Sequence, residues 1–159
     1  SQDKIPPNLW FITNKYSCPQ LGALIGRYIV ETCDLPFPVF NFLTIGGPNN
    51  GIDFEENCKN ENDNTRCEVQ AKIMSFPLLG LYSKIVQSTI GPSNYFRDHK
   101  KLGEYLSHSL FLPYLNNEKD HGHASLNKRR FESLNHLTMI KFLKDPIIYP
   151  LESSWFGET

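Results

Sequence analysis

Asp145 is the residue whose type and position speak most directly of chemistry. It stands just past His136-Leu137-Thr138-Met139-Ile140-Lys141-Phe142-Leu143, an apolar, β-prone run that reads as a buried strand ending at Lys144-Asp145-Pro146. In open α/β sheets, ligands and catalytic groups gather outside the carboxyl ends of the strands. A reactive carboxylate suits that edge. So does an Asp that initiates a turn before Pro146. Two other groupings could do chemistry. His121-Gly122-His123 carries two imidazoles able to ligate a metal, but with no third partner in the pattern it reads as an exposed loop, and no metal or cofactor is expected. Gly46-Gly47-Pro48-Asn49-Asn50-Gly51 lets backbone approach a ligand, yet it lacks the spacing of a dinucleotide loop and reads as a turn.

The stretch from Lys15 to Gly22 raises a sharper question. A nucleophile turn of the form G-x-S-x-G needs small residues two before and two after the serine, because the chain passes abruptly from strand to helix. With Gly22 as the last glycine, the window is Cys18-Pro19-Gln20-Leu21-Gly22. Gln20 takes the nucleophile position, and an amide is not a nucleophile. Ser17 lies outside the window.

These residues need elements to position them. Leu9-Trp10-Phe11-Ile12 is rich in strand formers. From Gln20 to Cys33, Leu21, Leu24, Ile25, Tyr28 and Ile29 repeat with the spacing of one helix stripe, and Pro36 and Pro38 stop the helix. Val39 to Ile45 reads as a buried strand. Strand, helix and strand in succession predict a βαβ unit and a parallel sheet. Shorter helical patterns follow at Val69–Ser75, at Leu81–Ile90 with Leu81, Tyr82, Ile85 and Val86 on one face, and at Lys101–His108. A last helix begins near Ser125, a candidate N-cap. A mainly helical insertion, 49–135, thus separates two sheet strands within a single partial domain spanning 1–159. Tyr82, Tyr95, Phe96, Tyr105, Phe111 and Tyr114 are expected mostly in the core, though such a set could also line an acyl groove.

The 159 residues include 16 Lys+Arg against 17 Asp+Glu, a formal charge of −1, which offers no broad field for nucleic acid or an anionic membrane. Lys128-Arg129-Arg130 is the one basic run and is expected on a solvated helix face. No run reaches the ~18–20 apolar residues of a membrane span. The opening Ser1-Gln2-Asp3-Lys4 has neither methionine nor the apolar core of a signal peptide, so an upstream segment is expected to have been removed or to lie outside this chain. Four cysteines allow three pairings. Cys58 and Cys67 flank a polar loop that needs a staple, so a disulfide is expected there, pointing to an oxidising compartment. Cys18 and Cys33 read as buried thiols, or as partners of each other.

Five separated segments, "LIGRYIVETCD", "VFNFLTIGGPNNG", "LYSKIVQ", "SLFLPYLNNE" and "MIKFLKDPIIYPLESSWFG", together resemble the palmitoyl-protein thioesterases, over roughly Gly22 to Gly157. Leu24-Ile25-Gly26-Arg27 is similar to the plant-like branch. The resemblance implies an α/β-hydrolase fold, a Ser–His–Asp triad acting on fatty acyl thioesters of protein cysteines, and a lysosomal, vacuolar or secreted location. It makes Asp145 the triad acid, aligns the family's serine with Gln20, likens Cys58–Cys67 to the family's cysteine pair, and likens 49–135 to the helical insertion that holds the fatty chain. The departures are Gln20 itself and the histidines, all five of which precede Asp145. The chain is therefore expected to be incomplete at both ends and inactive alone, or else a catalytically dead relative that binds acyl chains or a protein partner.

Overall fold

β-prone runs and helical stripes settle, in the computed structural model, into a parallel sheet with helices packed against it; residues 10–12, 19–53, 80–145 and 147–158 are described. The strands are β1 (Trp10–Ile12), β2 (Asn41–Ile45) and β3 (His136–Ile140). β2 lies between the other two, paired in parallel with both, in the registers Phe11↔Phe42 and Phe42↔Leu137. The helices are α1 (Pro19–Thr32), α2 (Lys84–Thr89), α3 (Leu102–His108), α4 (Leu112–Leu115) and α5 (Ala124–Glu132). A 3₁₀ segment, Leu151–Trp155, follows β3. Among the described residues, no helix is long and apolar enough to cross a membrane.

The expected β–α–β order is present, but three readings need correction. The first concerns α1. Ile25 and Tyr28 are exposed, while Ala23, Leu24, Arg27, Val30 and Glu31 are buried. The helix turns a charged pair inward because Arg27 and Glu31, one turn apart, neutralise each other there. Ile85 of α2 is likewise exposed, while Tyr82 and Val86 are buried and Ser83 caps the helix through its hydroxyl to the Val86 N–H. Second, β3 stops at Ile140 and is not a buried strand: His136, Thr138 and Ile140 are exposed and Leu137 and Met139 only half-buried. Among the described strands it lies at the sheet edge, with one face toward α1 and α5 and one toward solvent. Third, α5 starts at Ala124, so Ser125 lies inside the helix and the flanking residue His123 makes no side-chain cap.

Two apolar clusters hold the elements. One joins Leu24 of α1 and Ile148 to Ile52, Tyr82, Phe96, Tyr105 and Leu112, so the insertion shares a core with the helix and with the segment after β3. The other places Val30, Val39 and Phe42 against Phe131 and Leu137, sealing α1 and α5 onto the sheet. The expectation that Tyr82, Tyr95, Phe96 and Tyr105 are core residues holds; Phe111 and Tyr114 are only partly buried. The helix expected at Val69–Ser75 lies outside the described residues, as do Cys18, Cys58 and Cys67; Cys33 is a half-buried free thiol.

Candidate active site

β2 and β3 run parallel and end together, Ile45 opposite Ile140, so their following loops leave the same edge of the sheet. The Gly46 N–H continues the ladder onto the Ile140 carbonyl at 2.8 Å. Gly46 has φ +58°, a backbone glycine adopts freely, and a Cβ there would stand 2.9 Å from the Phe142 ring and 3.6 Å from Asp145 Oδ2. The Asp145 carboxylate therefore comes up against the backbone of the β2 loop. Gly47 lies equally close to α1: a Cβ on it would be 2.5 Å from the Ala23 Cβ. Ala23 is one turn into α1 from Gln20. The two glycines thus bring the first turns of α1 and the end of β3 to one edge, which neither a simple turn nor a dinucleotide loop requires.

Asp145 is 8% exposed, and its Oδ1 accepts from the N–H groups of Ile147 at 2.8 Å and Ile148 at 3.0 Å. These two hydrogen bonds are those of the turn-initiating Asp that the sequence allowed for. One oxygen builds the turn before Ile147, and the other faces Gly46. Gln20 lies in the first turn of α1, where Pro19 suits the first helical position. Residues 13–18, between β1 and α1 in the chain, lie outside the described residues.

The residue that sequence reasoning missed is Arg27. Its guanidinium is 3% exposed and donates to Glu31 Oε1 at 2.6 Å, Asn116 Oδ1 at 2.7 Å, the Leu115 carbonyl at 2.6 Å and the Asn49 carbonyl at 3.3 Å. It also lies over the Phe156 ring, 4.7 Å from its centroid. One side chain thus ties α1 to the β2 loop, to the end of α4 and to the segment after β3. Burial pushes the Arg27 guanidinium below its ordinary value and the Glu31 carboxyl above, each opposed by the attraction of the other. The available signal was the i, i+4 spacing of Arg27 and Glu31 inside an otherwise apolar helix. Asn49 and Ser153 complete the frame: the Asn49 amide donates to the Ser154 carbonyl at 2.9 Å, and the Ser153 hydroxyl donates to the Gly51 carbonyl at 2.5 Å.

The remaining candidates lie elsewhere. Among the described residues there is no group of three metal-ligating side chains. His121 is only partly exposed, with its ring edge-on to Tyr114 at 5.8 Å, so it is a packed residue and not the exposed loop residue expected. Arg130 does not simply face solvent either; it donates to the Thr32 carbonyl at 2.9 Å, at the C-terminal end of α1, while Lys128 remains on the exposed face. His99, which no pattern singled out, is held through Nδ1 by the buried Asp53 carboxylate.

Comparison with known proteins converges on one family. A family model described as palmitoyl protein thioesterase matches residues 18–159. Palmitoyl-protein thioesterase 1 of Caenorhabditis elegans is 32% identical over 136 residues, covering 86% of this chain and 43% of that protein. A palmitoyl-protein thioesterase-dolichyl pyrophosphate phosphatase fusion of Schizosaccharomyces pombe is 29% identical, covering 86% of this chain and 21% of the fusion. Lysosomal thioesterase PPT2 of Homo sapiens is 38% identical over 64 residues, 40% of this chain and 21% of that protein. The chain spans less than half the length of these relatives. With a match across nearly its whole length and a parallel sheet flanked by helices, this chain belongs to the palmitoyl protein thioesterase family of α/β hydrolases.

Proposed function

We propose that this chain carries the acid side of a thioesterase site that removes fatty acyl groups from protein cysteines. The observation that carries the reading is the buried Asp145 carboxylate at the C-terminal edge of the sheet, set against Gly46 beside the first turns of α1. In this chemistry a serine attacks the acyl thioester while histidine takes its proton, the cysteine thiol leaves, and water then releases the fatty acid. Asp145 would fix the tautomer of that histidine and stabilise its positive charge. The mechanism calls on no metal or cofactor. The insertion 49–135, rich in buried aromatic side chains, is the region proposed to hold the fatty chain. Relatives named as lysosomal thioesterases support a lysosomal or vacuolar site of action on palmitoylated proteins. Gln20 at the nucleophile position supports a further part of the proposal, that the 159-residue chain gives no turnover by itself. Gln20 is also what favours a second reading, an acyl-binding or protein-binding relative without catalysis.

A graft tests the first reading. Residues 41–158 replace the matching segment of the Caenorhabditis elegans relative, which keeps its own nucleophile and histidine. The graft is expected to hydrolyse a palmitoyl thioester, and Asp145→Asn to lower its kcat by about 10⁴ with KM unchanged. A folded, active graft in which Asp145→Asn changes kcat less than about threefold would refute the role of Asp145. A folded but silent graft would favour the non-catalytic relative.

A further inference from the structure

A polar cavity of about 170 Å³ lies where the loop after β2 meets the segment before α3 and the segment after β3. Asn50, Asp53, Arg97, His99 and Glu158 line it. Its frame is paired backbone. The Ile52 N–H donates to the Tyr95 carbonyl at 2.8 Å, the Arg97 N–H to the Ile52 carbonyl at 2.9 Å and the Asp53 N–H to the Tyr149 carbonyl at 2.7 Å. Gly51, with φ +84°, lies close under Arg97, since a Cβ on it would stand 2.8 Å from the Arg97 Cβ. Side chains carried on such a frame are held in position before a ligand arrives.

Arg97 holds two carboxylates, and they are unlike. Its Nε donates to Glu118 Oε1 at 3.0 Å, and its guanidinium lies over the Tyr105 ring, 5.7 Å from the centroid. Glu118 also accepts from the Tyr105 hydroxyl at 2.5 Å, so this pair is anchored to the packed interior. The second carboxylate is Glu158, whose Oε1 accepts from Arg97 Nη2 at 2.8 Å while its side chain is 66% exposed. An ion pair so open to water gains little and gives way to a carboxylate that brings contacts of its own. Beside it, the Asn50 amide donates to the Gly157 carbonyl at 3.2 Å, a bond that tethers the same exposed segment. Asp53, the other acid in the wall, is turned to His99, whose backbone N–H and Nδ1 both meet its Oδ2.

We propose that this cavity receives the carboxylate of an acidic peptide side chain, which takes the place of Glu158 on Arg97 and accepts from the Asn50 amide. The planar guanidinium matches a carboxylate in geometry as well as in charge. Glu158 itself shows that a carboxylate approaching from the solvent side reaches Arg97 at hydrogen-bonding distance. The space admits a side-chain carboxyl and falls short of the ~300 Å³ at which drug-sized sites begin. Among the described residues, Pro150 is the only apolar side chain in the wall, so nothing there favours a hydrocarbon chain. The site rests on no part of the thioesterase reading.

The test titrates the purified chain with N-acetyl-Glu-Glu amide, with its Gln-Gln counterpart and with inorganic phosphate, following the side-chain N–H signals of Arg97 and Asn50 by NMR. Saturable binding of the acidic peptide is expected, with both signals shifting together and the Gln-Gln peptide at least tenfold weaker. Glu158→Gln removes the competing carboxylate and should tighten the acidic peptide about two- to fivefold, the range an exposed ion pair supplies. Arg97→Lys keeps the charge but loses the fork and should weaken it about tenfold. Equal affinity for the acidic and amide peptides, no saturation by about 10 mM, or shifts that leave Arg97 and Asn50 unmoved overturns the proposal. Phosphate binding more tightly than the acidic peptide overturns the choice of a carboxylate. Should Arg97→Lys fail to unfold cooperatively, Glu158→Gln decides alone, and the absence of tightening overturns the site.

Discussion

Replacing Arg27 by Met should destabilise the chain far more than an average substitution. The side chain is almost wholly buried and makes four hydrogen bonds to Glu31, Asn116, Leu115 and Asn49. Its removal leaves the Glu31 carboxyl, 1% exposed, without its counter-charge. Breaking one partner of a buried pair costs about 3–5 kcal/mol, whereas replacing both by apolar groups of similar volume is close to neutral. The double variant Arg27→Met/Glu31→Leu should therefore recover much of the loss, with the orphaned Leu115 carbonyl accounting for about 1–2 kcal/mol of what remains. Equilibrium urea unfolding followed by circular dichroism reads these values from the midpoint at constant slope. The sign with pH is fixed too. Burial raises the folded-state value of Glu31, so the folded state binds the extra proton. The stability this group contributes is full below its ordinary value of 4.5 and is lost as pH rises through the higher folded value. In Arg27→Met that dependence should steepen, because the lowering influence of Arg27 is gone. A single variant that loses less than about 1 kcal/mol, or a double variant whose loss equals the sum of its parts, would refute the account.

Two further outcomes follow from single side chains. Asp145→Asn should leave stability within about 0.5 kcal/mol because the retained oxygen still accepts from Ile147 and Ile148, whereas Asp145→Ala should cost about 1–2 kcal/mol; equal losses in urea unfolding would refute the turn-building role. Burial pushes the Tyr82 phenol up to about 12, so its contribution to stability holds below the ordinary value of 10 and fades as pH rises through about 12. Tyr82→Phe should flatten the alkaline decline by about 2 kcal/mol, measured as the midpoint of urea unfolding between pH 9 and 12.

The fold was legible where local pattern and burial agree. The runs at Trp10–Ile12, Asn41–Ile45 and His136–Ile140 announced a parallel sheet, because β-prone residues bounded by glycine or proline leave few alternatives. The facing of α1 was not legible. A hydrophobic count turns Ile25 and Tyr28 inward, but the pairing of Arg27 with Glu31 and with carbonyls 22 and 88 residues away decides the rotation. A sequence window holds no information about such distant acceptors. The site divides in the same way. Asp145 could be singled out from strand polarity alone, since the end of a parallel strand is a fixed address. That Gly46 and Gly47 serve as contact points for Asp145 and Ala23 depends on two loops meeting, and glycine spacing suggested only a turn. Arg130 read as part of a solvated helix face because its acceptor, the Thr32 carbonyl of α1, lies 98 positions upstream.

The pairing of β2 with β3 also bears on how the sheet is assembled. Asn135 reaches Asn41 across 94 residues, the whole insertion lying between them. Closing so long a loop costs conformational entropy that only a collapsed insertion can offset, and contacts of such high sequence separation form slowly. The insertion core around Tyr105 and Leu112 should therefore condense before β3 docks, leaving β2 with an open edge during the interval. An open parallel edge is a template for other chains. During synthesis the same delay is unavoidable, because β3 emerges after every residue of the insertion has been made. Substitutions that loosen the Tyr105 cluster would thus act first on the yield of assembled protein, and only afterwards on anything the Asp145 edge does.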